Sequence, residues 1–132
     1  MLENTPCTIF CYRKIAGIES FVPVVIPMCL WTPKTETVPT ANGFKKNNTF
    51  EIFIEHKKAP IGKTYIGANA YALLDDEEYT KYWTVNPLKD RILKGLTDET
   101  DIAKIIRLDD CFTVQSVQFY EYGLKHWEIT GG

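Results

Sequence analysis

The chain has 132 residues, 45% hydrophobic and 24% charged, with a formal net charge of -2; this is the composition of one globular domain, not of a disordered, fibrous or membrane-spanning chain. Its longest apolar run, Phe21 to Trp31, falls short of the roughly 20 residues a membrane helix needs and is broken by Pro23 and Pro27. The charge balance argues against a protein that grips nucleic acid through its phosphates, which takes a surplus of Lys and Arg on one face.

Met1 to Pro6 shows no basic segment followed by an apolar one, so no secretory signal is expected and cytoplasmic synthesis is the default. Cys7 to Tyr12 is rich in strand formers and ends at a charged turn, Arg13-Lys14, giving a first predicted strand. Ile15 to Ser20 reads as a connection and Phe21 to Trp31 as a second strand. Its two prolines are four apart, so both missing N–H groups fall on one lateral side, and the strand is expected to be an edge over part of its length.

Thr32 to Asn48 has no hydrophobic periodicity and carries Pro33, Pro39, Gly43 and the lysines Lys34, Lys45 and Lys46. It reads as a long loop or arm, either a surface excursion or a segment that orders only against a partner. Thr49 to His56 alternates cleanly, with Phe50, Ile52 and Ile54 on one face and glutamates on the other. Phe53 interrupts the polar face and is either a cover for a loop or exposed for a partner. After a turn at Lys57 to Gly62, Tyr65-Ile66 reads as a short strand, and Asn69 to Tyr79 as a short helix with Tyr71, Leu74 and Leu73 inward.

Tyr82 to Val85 is a further short strand, and Asn86 to Asp90 a turn leading into the strand Arg91 to Gly95. Thr97 to Leu108 is the clearest helix: Thr97 or Asp98 can cap it, acids crowd its first turn, and Ile102, Ile105 and Ile106 form one stripe. The chain closes on a hairpin, Asp109 to Thr130. In its first arm Phe112 and Val114 share one face and Val117 and Phe119 the other, which predicts a bulge near Gln115-Ser116 unless both faces are covered. In its second arm Trp127 and Ile129 point into the core.

The fold class is therefore mainly β: a small β-barrel or sandwich with one or two short helices, a single domain over 1–132 with a long loop or arm at 32–48. The predicted core is Ile9, Val24, Ile26, Ile52, Ile54, Trp83, Ile92, Val114, Val117, Trp127 and Ile129, with Ile102, Ile105 and Ile106 packed across the sheet.

No catalytic, cofactor or metal site is expected. Gly62-Lys63-Thr64 resembles the end of a phosphate loop, but Lys57 stands where that loop needs its first glycine. Cys7, Cys11, Cys29 and Cys111 lie in apolar segments without C-x2-C spacing and read as buried free thiols. The acid runs Asp75 to Glu78 and Asp98 to Asp101 suit solvated helix starts better than a cation site. His56 and His126 are expected to make structural hydrogen bonds.

The succession Tyr82-Trp83-Thr84-Val85, Asp90 to Gly95, a short helix, Phe112-Thr113-Val114 with Ser116-Val117, and His126-Trp127-Glu128-Ile129 with Gly131 resembles a family of small neck or minor capsid proteins. These belong to tailed phages and prophages of Gram-positive bacteria. The likeness covers about residues 60 to 132 and, weakly, Thr8 to Tyr12; relatives usually carry Gly-Asp where this chain has Lys89-Asp90. The resemblance implies no enzyme but a β-barrel head-closure, or stopper, subunit. Copies would form a hexameric or dodecameric ring between portal or connector proteins above and tail-terminator or tail-tube proteins below. Genomic DNA would pass through the lumen without sequence-specific binding, and no membrane is involved. The protein would sit in the bacterial host cytoplasm during assembly and then in the virion neck. Phe44, Lys45, Lys46 and Phe53 are the candidate partner-binding residues. A tail-terminator or head–tail adaptor subunit is the alternative, and a phage-encoded inhibitor of a host protein or a small ligand-binding barrel are readings of a different class.

Overall fold

Strands whose apolar residues alternate with polar ones must be rolled or stacked to hide one face, and here they are rolled. The computed structural model of the chain describes residues 4–132, apart from the side chains of residues 34–38 and 44–48. Six strands close an antiparallel barrel. They are β1 (Thr5–Ile15), β2 (Ile18–Thr40), β3 (Gly43–Glu55), β6 (Arg91–Lys94), β7 (Cys111–Tyr120) and β8 (His126–Gly131). Around the wall the order is β1-β2-β3-β8-β7-β6, and β6 returns to β1. Between β3 and β6 the chain makes an excursion containing β4 (Thr64–Tyr65), the short helix α1 (Ala68–Ala72) and β5 (Tyr82–Trp83), with β4 and β5 paired in parallel. A second short helix, α2 (Ile102–Ile105), precedes β7.

Two strands turn the corners of the barrel. From Ile18 to Cys29, β2 pairs with β1, and from Leu30 to Thr40 with β3. Among the described residues its first stretch thus has a strand on one side only, and Pro23 and Pro27 fall in this expected edge. β7 pairs with β6 through Thr113 and with β8 from Val114 on, with a register break between Val114 and Ser116. That break is the predicted bulge. The extra residue, Gln115, shifts the inward positions from Phe112 and Val114 to Val117 and Phe119, so both halves feed the same core.

Cys7, Ile9 and Cys11 of β1, Val24 and Ile26 of β2, Ile52 and Ile54 of β3, Ile92, Val114, Trp127 and Ile129 are buried together, with Trp83 from the excursion. Val117 packs against this core but is only half-buried. Trp127 is the hub of its aromatic part, with ring centroids at 4.7 Å from Phe119, 4.9 Å from Trp83 and 5.2 Å from Tyr65. Such pairs are each worth about 0.5–1.5 kcal/mol beyond their buried area. Gly131 is required for closure: a Cβ there would lie 2.5 Å from Phe50 Cζ and 2.7 Å from the Thr113 carbonyl oxygen.

The outer side of the wall has its own apolar patch. Phe10, Leu93 and Ile105 are buried against one another, with Phe21, Ile102 and Cys111 around them. This is why Phe10 and Leu93 can be apolar on a face that alternation assigns to solvent.

Four expectations are corrected. β1 does not stop at Arg13-Lys14 but continues to a two-residue hairpin at Ala16-Gly17, both with positive φ (52° and 81°). This twist matches that of the strands. The helix expected over 97–108 is only α2. Asp101 caps it, its carboxylate accepting from the Ala103 N–H, and Ile106 is exposed at 43% rather than inward. Glu99 Oε1 and Thr97 Oγ1 accept from backbone N–H groups before it, holding the acid run in a turn. The helix expected over 69–79 shortens to α1, with Tyr71 buried and Leu73 88% exposed. Finally, residues 32–48 are no loop. They are the far part of the β2–β3 hairpin, paired from Leu30↔Phe53 out to Thr40↔Gly43. The pairing is set by backbone hydrogen bonds that need no hydrophobic period, so the polar sequence concealed it.

Candidate functional site

β3 meets β8 only from Phe50 to Glu55. Outward from there, the rungs Lys34↔Thr49 to Thr40↔Gly43 pair β2 with β3 and with no other strand among the described residues. Seven rungs at the usual rise make a two-stranded arm of roughly 23 Å. Its tip is built for reversal: Thr40 Oγ1 donates to the Gly43 carbonyl at 3.0 Å, and Gly43 adopts φ 124°, a conformation that favours glycine. Residues 39–43 are all exposed. The side chains of Phe44, Lys45 and Lys46 lie outside the described residues; their backbone places them on β3, next to the tip.

Phe53, the fourth candidate, belongs to the barrel wall instead. It is half-buried and stacks on the His126 ring at 4.3 Å. On the other side of His126 lies Tyr120, at 4.7 Å and 9°. The three rings run across β3, β8 and β7 as a ladder. His126 Nδ1 lies 2.6 Å from the Leu124 carbonyl oxygen, and Nε2 is 3.7 Å from the Glu128 carboxylate. A hydrogen bond to Glu128, then its charge, raises the Tyr120 pKa. The sequence placed Phe53 on the outer face correctly but could not show that a histidine covers it.

Two buried ionisable residues were missed, and both hold the excursion to the barrel. Arg13 is 2% exposed. Its guanidinium donates to the carbonyls of Leu74 at 2.9 Å and Tyr71 at 3.5 Å, and lies 4.3 Å from the centre of the Tyr79 ring. Asp76, mostly exposed, is 3.8 Å away. A buried cation is tolerable only with such carbonyl and π partners. The signal was present: Cys7, Ile9, Cys11 and Arg13 keep strict alternation.

Asp90 is fully buried. Its two carboxylate oxygens accept from the N–H groups of Tyr12 at 2.8 Å and Asn86 at 2.9 Å. The first bond fastens β1 and the second closes the Asn86–Asp90 turn, in which Leu88 has φ 70°. Burial raises the Asp90 pKa to about 7 against the pull of the two N–H donors.

The remaining motifs are occupied structurally. Lys63 of Gly62-Lys63-Thr64 donates through Nζ to the Thr80 carbonyl at 2.7 Å. Asp75 Oδ1 accepts from the N–H groups of Glu77 and Glu78. Cys7, Cys11, Cys29 and Cys111 are free thiols, the first three buried. Cys11 donates to the Thr84 carbonyl at 3.3 Å. Burial raises the pKa of Cys11 and Cys111, and a hydrogen bond with Cys29, then burial, raises that of Cys7. Each is held in the unreactive thiol form. Among the described residues no three His, Cys, Asp or Glu side chains gather as a metal site, and no helix is long and apolar enough to cross a membrane.

The chain belongs to DUF6751, a family of unknown function, which matches residues 2–132. No curated protein matches it. No solved structure does either.

Proposed function

We propose that this DUF6751 protein is a structural subunit of a tailed-phage neck, forming with its copies the head-closure ring that retains packaged DNA and lets it pass at ejection. The observation that carries the reading is the arm. A two-stranded ribbon is marginal in water on its own, so a monomer gains little from extending seven rungs past its barrel. A ring subunit gains a lever that lies along its neighbour, and a free strand edge on β2 offers a second place for backbone pairing. The resemblance of the segments around Trp83, Ile92, Val117 and Trp127 to phage neck proteins supports the neck as the site of the ring.

The role asks for a rigid body rather than a reactive one, and the barrel supplies it. Its wall is closed and its polar interior groups, Arg13 and Asp90, are spent on holding backbone. A small net negative charge of -2 suits a conduit through which DNA slides.

The test is electron microscopy of particles from a host producing the chain with an epitope tag. Gold-labelled antibody at the head–tail junction is the expected result, together with emptied heads when the gene is deleted. Filled, tailed particles from the deletion strain would refute the role.

A further inference from the structure

We propose that the groove on the outer wall between β2 and the segment before α2 is the socket for the arm tip of a second copy. This rests on the ring reading above and names the surface through which one subunit holds the next.

The groove has a volume of about 500 Å³. Its floor is Phe10, Phe21, Pro23 and Val25 from β1 and β2, and its far wall is Leu96 and Ile102. Val25 is 50% exposed and Leu96 63%, so apolar surface stands open to water. The polar groups beside it do not converge on a small ligand. Thr8 Oγ1 donates to the Gly95 carbonyl and Thr97 Oγ1 accepts from the Glu99 N–H. An apolar trough without directed donors suits a side chain delivered by a protein.

The rim gives the sign of the occupant. Asp98 and Glu99 line it, Asp101 follows, and among the described residues no Lys or Arg does. Glu99 and Asp101 use oxygens on backbone N–H groups but keep their charge. The arm has the matching sequence: Val38 and Phe44 are its large apolar residues, and Lys45-Lys46 follows Phe44 directly. An apolar anchor flanked by cations fits an apolar slot edged by acids.

The same copy cannot fill its own groove. Phe21, Pro23 and Val25 of the floor and Thr40 of the tip lie on one uninterrupted strand, β2. Fifteen residues of extended chain, up to roughly 50 Å, separate Val25 from the tip. The tip can therefore reach only a neighbour's socket, and repeating that head-to-tail step builds a ring.

Two measurements test this on the full chain. In the first, sedimentation velocity compares the wild type with an arm variant (Lys45→Glu with Lys46→Glu), a socket variant (Asp98→Lys with Glu99→Lys) and an equimolar mixture of the two. Each variant alone is expected to self-associate at least about tenfold more weakly, and the mixture to recover mixed oligomers. In the second, Thr40→Cys in one tagged copy and Leu96→Cys in a differently tagged copy, both with Cys111→Ser, are oxidised together. A disulfide joining the two tags supports the socket. A socket variant that forms rings as well as the wild type, or rings that give no inter-tag disulfide, overturns the socket and leaves the ring reading standing. A wild-type chain that stays monomeric at every concentration overturns both.

Discussion

Replacing Asp90 by Asn removes a titrating group from the interior and leaves its shape nearly unchanged. The folded carboxyl titrates near pH 7, against 3.8 as its ordinary value, because burial outweighs the N–H groups of Tyr12 and Asn86. Between those two values the folded chain holds a proton that the unfolded chain has lost, so stability falls as pH rises through the window and levels off above 7. At 1.36 kcal/mol per unit the whole window is worth about 4 kcal/mol, of which about 2.5 kcal/mol falls between pH 5 and 7.5. Cys11, Tyr65 and Tyr71, the groups that feel or affect the Asp90 charge, are themselves shifted upward, away from this range. In Asp90→Asn one N–H donor faces an amide NH2 group, at a cost of about 1–3 kcal/mol that does not depend on pH. Urea unfolding of both proteins at pH 5 and 7.5 should show the wild type losing about 2.5 kcal/mol relative to the variant between the two, so that any lead it has at pH 5 closes or reverses at pH 7.5. A gap of constant size would mean that Asp90 stays ionised in the fold and that the two N–H bonds, not burial, set its state.

Other substitutions probe the closure and the turns. Gly131→Ala places a methyl group against the Thr113 carbonyl oxygen and the Phe50 ring; backbone cannot yield as a side chain can, and a loss of about 2–4 kcal/mol is expected in thermal unfolding. Ala16→Asn should stabilise the β1–β2 turn by about 0.5–1 kcal/mol, since φ 52° suits Asn better than Ala; a drop in melting temperature would speak against that turn geometry. Ellman's reagent should modify only Cys111, slowly, in the native chain and all four cysteines in denaturant without a reductant. A full native count would show that Cys7, Cys11 and Cys29 are not held in the core.

The barrel was legible wherever burial imposes a period of two. Phe50, Ile52 and Ile54 announced their strand, and the parity change between Val114 and Val117 announced the bulge at Gln115. Two kinds of structure left no such mark. The arm is held by backbone pairing, which needs no hydrophobic alternation, so Thr32 to Asn48 carries none and reads as a loop. Around α2, the stripe Ile102, Ile105, Ile106 suggested three turns of helix. The run of Thr97, Glu99 and Asp101, each bonding nearby backbone N–H groups, uses local turns instead and leaves a single helical turn. Arg13 was misread because a charged pair usually marks a surface turn, and only the stacking of Tyr79 and the carbonyls of Leu74 and Tyr71, distant in sequence, explains its burial. The groove was invisible for the same reason: Leu96 is far in the chain from Phe21 and Val25, and only the fold brings it beside them.

If the arm is what makes this barrel a ring subunit, trimming it must abolish the ring. Residues 36–47 can be replaced by Asn-Gly, which joins Thr35 to Asn48, a facing pair in the ladder, through the turn such strands favour. The rungs from Trp31↔Ile52 inward stay in place, so the trimmed chain should keep the thermal transition and near-ultraviolet dichroism of the full one. Electron microscopy and sedimentation of both should then show rings from the full chain and monomers from the trimmed one. Rings of unchanged diameter from the trimmed chain would contradict the account and move assembly to the strand edges of the barrel.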